Sequence, residues 1–263
     1  MNLINKGIRI RTTAILLVVT VFATVLPSRM TVRAETAASL PETAFTTDTG
    51  FSTDPLLEKT QKEFFNNLQF AKLKEEPTKE AIRCFDVNKN GYIAVGCHVF
   101  NSATISVYDS YGTFIYGFSF KEYGDFGVLF SDECLNICFV RGDLVLTVNS
   151  EGELIEMAEI RNTDENRHYW TNSVFVNRRS NNDTEYLLKN NKGFFNLFST
   201  KYTQLEVKTS DGEKTVIYDV NSKQLFFDIL VFVVVIGMIS IAAWRIPIEF
   251  IKARKKQKIR LFE

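Results

Sequence analysis

Between Leu225 and Trp244 the chain reads LFFDILVFVVVIGMISIAAW, with Asp228 as its sole charged residue. Twenty residues of α-helix rise about 30 Å, the thickness of a bilayer's hydrocarbon core. A helix that is apolar on every face offers nothing to water, so the run predicts a transmembrane helix over 225–244. Arg245, Lys252, Arg254, Lys255, Lys256, Lys258 and Arg260 follow it, against Glu249 and Glu263. Basic residues close to a span stay on the cytoplasmic side. Residues 245–263 therefore read as a basic cytoplasmic tail, with Trp244 and Arg245 as anchors at the inner interface. Asp228 lies close enough to the outer end to be interfacial, or to pair with a basic residue on another subunit's helix. Gly237 has no second small residue four positions away, so the span carries no G-x-x-x-G face.

The other end of the chain agrees. Lys6, Arg9 and Arg11 precede a fifteen-residue apolar stretch, Thr12 to Leu26, which Pro27 closes. That core is short for a span, and Val32-Arg33-Ala34 supplies a cleavage-site pattern, so 1–34 is expected to be a secretory signal peptide. The expected location is the cell membrane, single-pass, with the N-terminus outside and the C-terminus cytoplasmic. Five basic and no acidic residues in 1–34, and seven basic against two acidic in 245–263, leave the intervening part strongly acidic although the whole chain is neutral. Such a surface repels nucleic acid, while the basic tail suits anionic headgroups.

Residues 35–54, rich in Thr, Ala, Ser and Pro, are expected to form a disordered linker. Asp54-Pro55 reads as a cap and first turn, and Leu57, Phe64, Leu68 and Ala71 recur at helical spacing, predicting a helix over 55–76 that Pro77 ends. From Ala81 the period becomes two. Short aromatic and β-branched segments are expected as strands at 81–87, 92–98, 103–109, 113–120, 126–131, 135–141, 143–148, 153–159, 172–177, 184–189, 193–199, 203–209 and 213–220. The expectation is a mainly β, antiparallel domain over 81–220, preceded by the short helix and followed by the span.

Three hairpins share one pattern. Ser110-Tyr-Gly112, Ser150-Glu-Gly152 and Ser210-Asp-Gly212 each follow an alternating strand, and Gly can take the positive φ that the turn needs. Asp86-Val-Asn88-Lys-Asn90-Gly91 leads into Tyr92-Ile-Ala-Val95 ahead of the first of them. With these residues the stretch 81–120 resembles one blade of a β-propeller, a likeness that extends at most over 81–219 and weakens toward its end. Propellers close with about 4–8 blades, and this length holds about three. The resemblance thus implies a partial propeller completed by another chain, whereas the residues alone also admit a β-meander folded into a sandwich.

Candidate sites follow from residue type and spacing. Asp86, Asn88 and Asn90 match the first half of a calcium loop, but Ala94 and Cys97 stand where the later ligands belong, and an Asn-Gly hairpin turn explains the same residues. Cys84 and Cys97 fall nearly opposite each other if Lys89-Asn90 is the turn, so they are a candidate disulfide among the three full pairings that four cysteines allow; Cys134 and Cys138, four apart on one strand, are too distant to pair with each other. Neither His98 nor His168 has a nucleophile in motif context, and no phosphate-binding, dinucleotide or metalloprotease motif occurs. No catalytic residue, metal or cofactor is assigned. Aromatic residues crowd 92–126, as core-forming strand residues or, around Tyr108, Tyr111 and Tyr123, as an exposed surface for a protein or glycan.

The expected function is a membrane-anchored, non-catalytic binding or accessory subunit whose partners are the bilayer and another membrane or surface protein. The alternatives are an envelope hydrolase without a recognisable motif, or a ligand sensor that signals through a partner.

Overall fold

The computed structural model of the chain describes residues 49–198 and 201–259. The expected signal peptide, and the expected linker up to residue 48, lie outside them. A three-residue strand β1 (Thr53–Pro55), helix α1 (Glu58–Asn67) and a second short strand β2 (Ala71–Leu73) come first. Two four-stranded meanders follow: β3 (Ile82–Val87), β4 (Ile93–Val99), β5 (Ser102–Tyr108) and β6 (Phe114–Lys121), then β7 (Phe126–Ser131), β8 (Cys134–Phe139), β9 (Leu144–Val148) and β10 (Leu154–Ile160). Helix α2 (Asp164–Tyr169) runs into a π-helical turn, Trp170–Val174. A third meander holds β11 (Arg178–Asn181), β12 (Thr184–Lys189), β13 (Gln204–Lys208) and β14 (Lys214–Asp219), with a 3-10 segment, Gly193–Phe198, between β12 and β13. Helix α3 (Asn221–Ile259) begins two residues after β14.

Each meander is an open antiparallel sheet. In the first two, the fourth strand is covered by a segment from the start of the domain: β2 pairs with β6, and β1 with β10. The expected linker is therefore ordered from Thr49 onward, and Phe51 packs edge-on against Tyr169 with ring centroids 4.6 Å apart. The expected helix is shortened for the same reason. Asp54 and Pro55 belong to β1, Leu57 is the N-cap without a side-chain hydrogen bond, and the chain turns out of α1 through Gln69 at φ 51° into β2. Edge pairing overrides helical periodicity at both ends.

The three sheets stack, with the first in the middle. One face of sheet one (Cys84, Ala94, Ile105, Phe118, Phe120) meets Phe126, Val128, Ile137 and Leu146 of sheet two. Its other face (Ile82, Phe85, Val95, Tyr108) meets Tyr186, Leu188, Leu205 and Tyr218 of sheet three. The far face of sheet two is covered by Phe51, Tyr169, Trp170 and Val174. Phe85, Phe118, Phe126 and Phe139 are fully buried, and each such side chain stabilises the fold by about 1.5–3 kcal/mol. That decides most of the aromatic cluster in favour of core packing.

Two expected strands are absent. The π-turn Trp170–Val174 takes the start of the strand expected at 172–177, and the 3-10 segment Gly193–Phe198 takes the described part of the one expected at 193–199. Both read as short apolar runs, which periodicity alone does not separate from buried helical turns.

Candidate functional site

The four turns flagged in the sequence are one device. In the turns at 88–92, 109–113 and 149–153 the first residue's backbone N–H donates to the fifth residue's carbonyl. Its side-chain oxygen meanwhile accepts from the third and fifth backbone N–H groups. Asn88 Oδ1 takes Asn90 and Tyr92 at 3.0 and 2.9 Å, Asp109 Oδ1 takes Tyr111 and Thr113 at 2.9 and 2.8 Å, and Asn149 Oδ1 takes Glu151 and Glu153 at 3.0 and 2.9 Å. Gly91, Gly112 and Gly152 sit at φ 81°, 83° and 83°. Thr209 starts the fourth turn, and there Asp211 Oδ1 accepts from Glu213 N at 3.3 Å. In the first two S-x-G turns the side chain before the Ser, Asp109 or Asn149, is the working residue, because its oxygen replaces a backbone acceptor. The three S-x-G turns occupy the same place in each sheet, joining its third and fourth strands.

These contacts decide how the calcium-loop residues are used. Asn88 is committed to its own turn. Asp86 is 8% exposed: one oxygen accepts the Phe130 amide of β7 at 2.7 Å, and the other lies 3.0 Å from Arg179 Nε of β11. Burial raises the Asp86 carboxyl above its usual range, against the lowering effect of Arg179 and of the Phe130 and Val87 amides. Arg179 also donates through Nη2 to the Ser173 carbonyl. Asp86 is thus a joint between all three sheets, and the oxygens a calcium loop would turn on a cation face protein donors instead. Among the described residues no group of three His, Cys, Asp or Glu side chains is placed to hold a metal.

The candidate Cys84–Cys97 pair is not formed; both are free and buried. A bulge between Ile82 and Cys84 shifts the β3–β4 register, so Ile82 faces Cys97 and Cys84 faces Gly96. The thiols consequently belong to cores on opposite faces of sheet one. Burial pushes Cys97 up to about 11, and it pushes Cys84 and Cys138 up as well, the opposite of what a nucleophilic thiol needs. Cys97 Sγ lies 3.3 Å from Tyr218 Oη, which donates to the Glu80 carbonyl at 2.8 Å.

The expected tyrosine surface is taken apart. Tyr108 is 2% exposed, donates to Glu76 Oε1 at 2.8 Å and meets Tyr218 edge-on. Tyr111 stands exposed on the β5–β6 turn, whereas Tyr123 lies beyond the other end of β6, with Lys121 over its ring. An eight-residue strand separates them, about 27 Å at strand rise. His98 is a structural tie, its Nε2 being 2.9 Å from the Glu122 carbonyl, and His168 is exposed on α2. An open groove of about 610 Å³ beside β2 and β6 is lined by Lys72, Leu73, Lys74, Ile115, Tyr116, Ser150 and Glu151. Its one carboxylate, Glu151, is engaged by Lys72 at 2.7 Å.

Among the described residues one helix is long and apolar enough to cross a membrane, Asn221–Arg245, and no residue of its apolar window is buried. Trp244, the expected anchor beside Arg245, is 75% exposed on it. Asp228 has a partner within its own chain: Lys192 Nζ, on a side chain 1% exposed, lies 2.6 Å from Asp228 Oδ2. Three residues on, the 3-10 segment reaches the same helix, where Phe195 meets Phe232 edge-on at 5.7 Å. Neither Lys192 nor Arg179 was legible as a partner, since each lies far along the chain from its carboxylate. The one available signal was the run of Phe194, Phe195, Leu197 and Phe198, with no polar alternation, just after Lys192.

No protein-family model matches the chain, and no curated protein matches it significantly.

Proposed function

We propose that this chain is a single-pass membrane protein that displays its β-rich domain outside the cytoplasm and works there as a binding or accessory subunit without chemistry of its own. The observation that carries this reading is the apolar helix Asn221–Arg245: the domain touches it only near its start, no residue of its apolar window is buried, and the rest of its apolar surface calls for lipid or another membrane helix. The basic residues after Arg245 set the direction, tail inward. The non-catalytic part rests on how the polar groups are used: Asp86, Glu80, Glu122, Glu151 and His98 are engaged with protein donors and acceptors, and the buried thiols are held protonated.

The three meanders fit diverged copies of one propeller-type unit, each with its S-x-G turn between the third and fourth strands. A ring completed by another chain and a self-sufficient stack both accommodate that repeat. Crosslinking in intact cells, followed by mass spectrometry of the purified full-length protein, tests the subunit reading. Recovery of one stoichiometric membrane neighbour supports it; a monomer that turns over substrate contradicts it.

A second reading, a sensor, draws on the join between domain and helix. Asp219 ends β14 and Asn221 opens α3, and Asn221 Nδ2 and Lys223 Nζ tie back to the Asn191 and Lys79 carbonyls at 2.9 and 3.2 Å. A rigid join of that kind transmits a tilt of the domain to the tail, where a partner would be needed to read it.

A further inference from the structure

Strand polarity divides the domain into two ends. The turns at 88–92, 109–113, 132–133, 149–153, 182–183 and 209–213 lie at the end away from α3. Together they carry eight carboxylates and a single lysine, Lys89. The end from which α3 departs carries the β4–β5 and β8–β9 turns, the β6–β7 connection and the segment between β12 and β13. Beside charged residues such as Asp125 and Asp143, it exposes large apolar ones: Phe100 is 93% exposed on a turn at φ 56°, Tyr123 is 59% exposed, and Phe194 and Leu197 are 62% and 79% exposed.

The 3-10 segment Gly193–Phe198 runs alongside the membrane helix. Phe232 is seven residues past Leu225, the start of the apolar run, which is about 10 Å along the axis and about a third of a hydrocarbon core. Phe195 touches Phe232, so the segment reaches past the start of the run. Asp228 lies on the way, and Lys192 pairs with it at 2.6 Å. A charge at that depth is expensive unless paired, and the pair lets the segment approach without leaving the carboxylate bare.

We propose that Gly193–Phe198 is a membrane-inserted wedge, with Phe194 and Leu197 among lipid acyl chains in the leaflet where α3 begins, so that the domain rests on the bilayer in a fixed pose with its acidic turns outward. This rests on α3 being a membrane span. Lipid is the occupant because the exposed apolar residues are continuous with the apolar helix, and because Gly193–Phe198 itself carries no charged side chain, while eight carboxylates sit on the turns at the opposite end.

The test uses the full chain in phosphatidylcholine–phosphatidylglycerol vesicles, with and without brominated acyl chains that quench tryptophan. The wild-type protein, Trp170 and Trp244 being its tryptophans, reports the span through quenching of Trp244. L197W in a W244F background, read against W244F alone, reports the wedge, and F194W repeats the measurement at a second position. The expected result is loss of most of the added emission in brominated vesicles and protection from aqueous iodide. Quenching of Trp244 while residue 197 stays open to iodide overturns the wedge and leaves the span. Protection from both iodide and bromolipid means that a second copy covers the segment, which also overturns it. No quenching at either residue removes span and wedge together.

Discussion

Arg179 Nε lies 3.0 Å from Asp86 Oδ1, on side chains 20% and 11% exposed, and the other carboxylate oxygen holds the Phe130 amide. Breaking a buried pair from one side leaves an uncompensated charge, which costs about 3–5 kcal/mol. Arg179→Met is therefore expected to lower the urea midpoint sharply, while Asp86→Asn with Arg179→Met recovers much of the loss. Equal loss in the double variant would show that the charge is not what matters. The pH dependence has a definite sign. Burial raises the Asp86 carboxyl in the folded chain, so its favourable contribution is fully present below the unfolded value, about 3.9, and is lost as pH climbs through the raised one. Asp86→Asn should flatten that fall in stability as pH rises above the unfolded value.

Asn166 is 3% exposed and closes a clamp. Its Oδ1 accepts the Ser52 amide at 2.9 Å, and its Nδ2 donates to the Ser52 and Arg161 carbonyls at 2.8 and 2.7 Å. Asn166→Ala leaves these backbone groups unmatched, at about 1–3 kcal/mol for a buried unpaired group. Residues 49–55 should become the first site of limited proteolysis; unchanged cleavage would show that β1 pairing alone holds them.

Thiol reactivity separates the buried cysteines from Cys134. With Cys84, Cys97 and Cys138 buried and raised, an aromatic disulfide reagent at neutral pH should label Cys134 first and the others only on unfolding. The denatured, unreduced protein should titrate four thiols. Two thiols would mean that Cys84 and Cys97 are bridged after all and that the β3 bulge is misplaced.

Gly112 and Gly212 stand in equivalent turns at φ 83° and 85°. Alanine at either position bears the left-handed penalty, about 1–2 kcal/mol. A Cβ at Gly112 would also meet Ile217 Cβ at 3.2 Å, whereas nothing lies within 4 Å of one at Gly212. Gly112→Ala should therefore lower the melting temperature more than Gly212→Ala, and the difference reads the contact between the first turn and sheet three.

The mainly β class, most of the strands and the C-terminal helix were legible because period-two alternation and a long apolar run are local signals. The repeated turn was legible through its Ser-x-Gly, although the side chain that shapes the first two copies is the Asp109 or Asn149 one place earlier. What failed was non-local. Asp54 is claimed by β10 instead of capping α1, Cys84 is turned away from Cys97 by one bulged residue, and Tyr108 is swallowed by the packing of sheet three on sheet one. Asp86 looked like a ligand because its partners, Phe130 and Arg179, come from two other sheets.

Alkaline carbonate extraction of membranes from cells expressing the full chain asks whether Asn221–Arg245 is buried in lipid. The protein should remain wholly in the membrane pellet, and deletion of 225–244 should release it. Recovery of the intact chain in the carbonate supernatant would contradict a transmembrane α3 and, with it, the display of the β domain at a membrane surface.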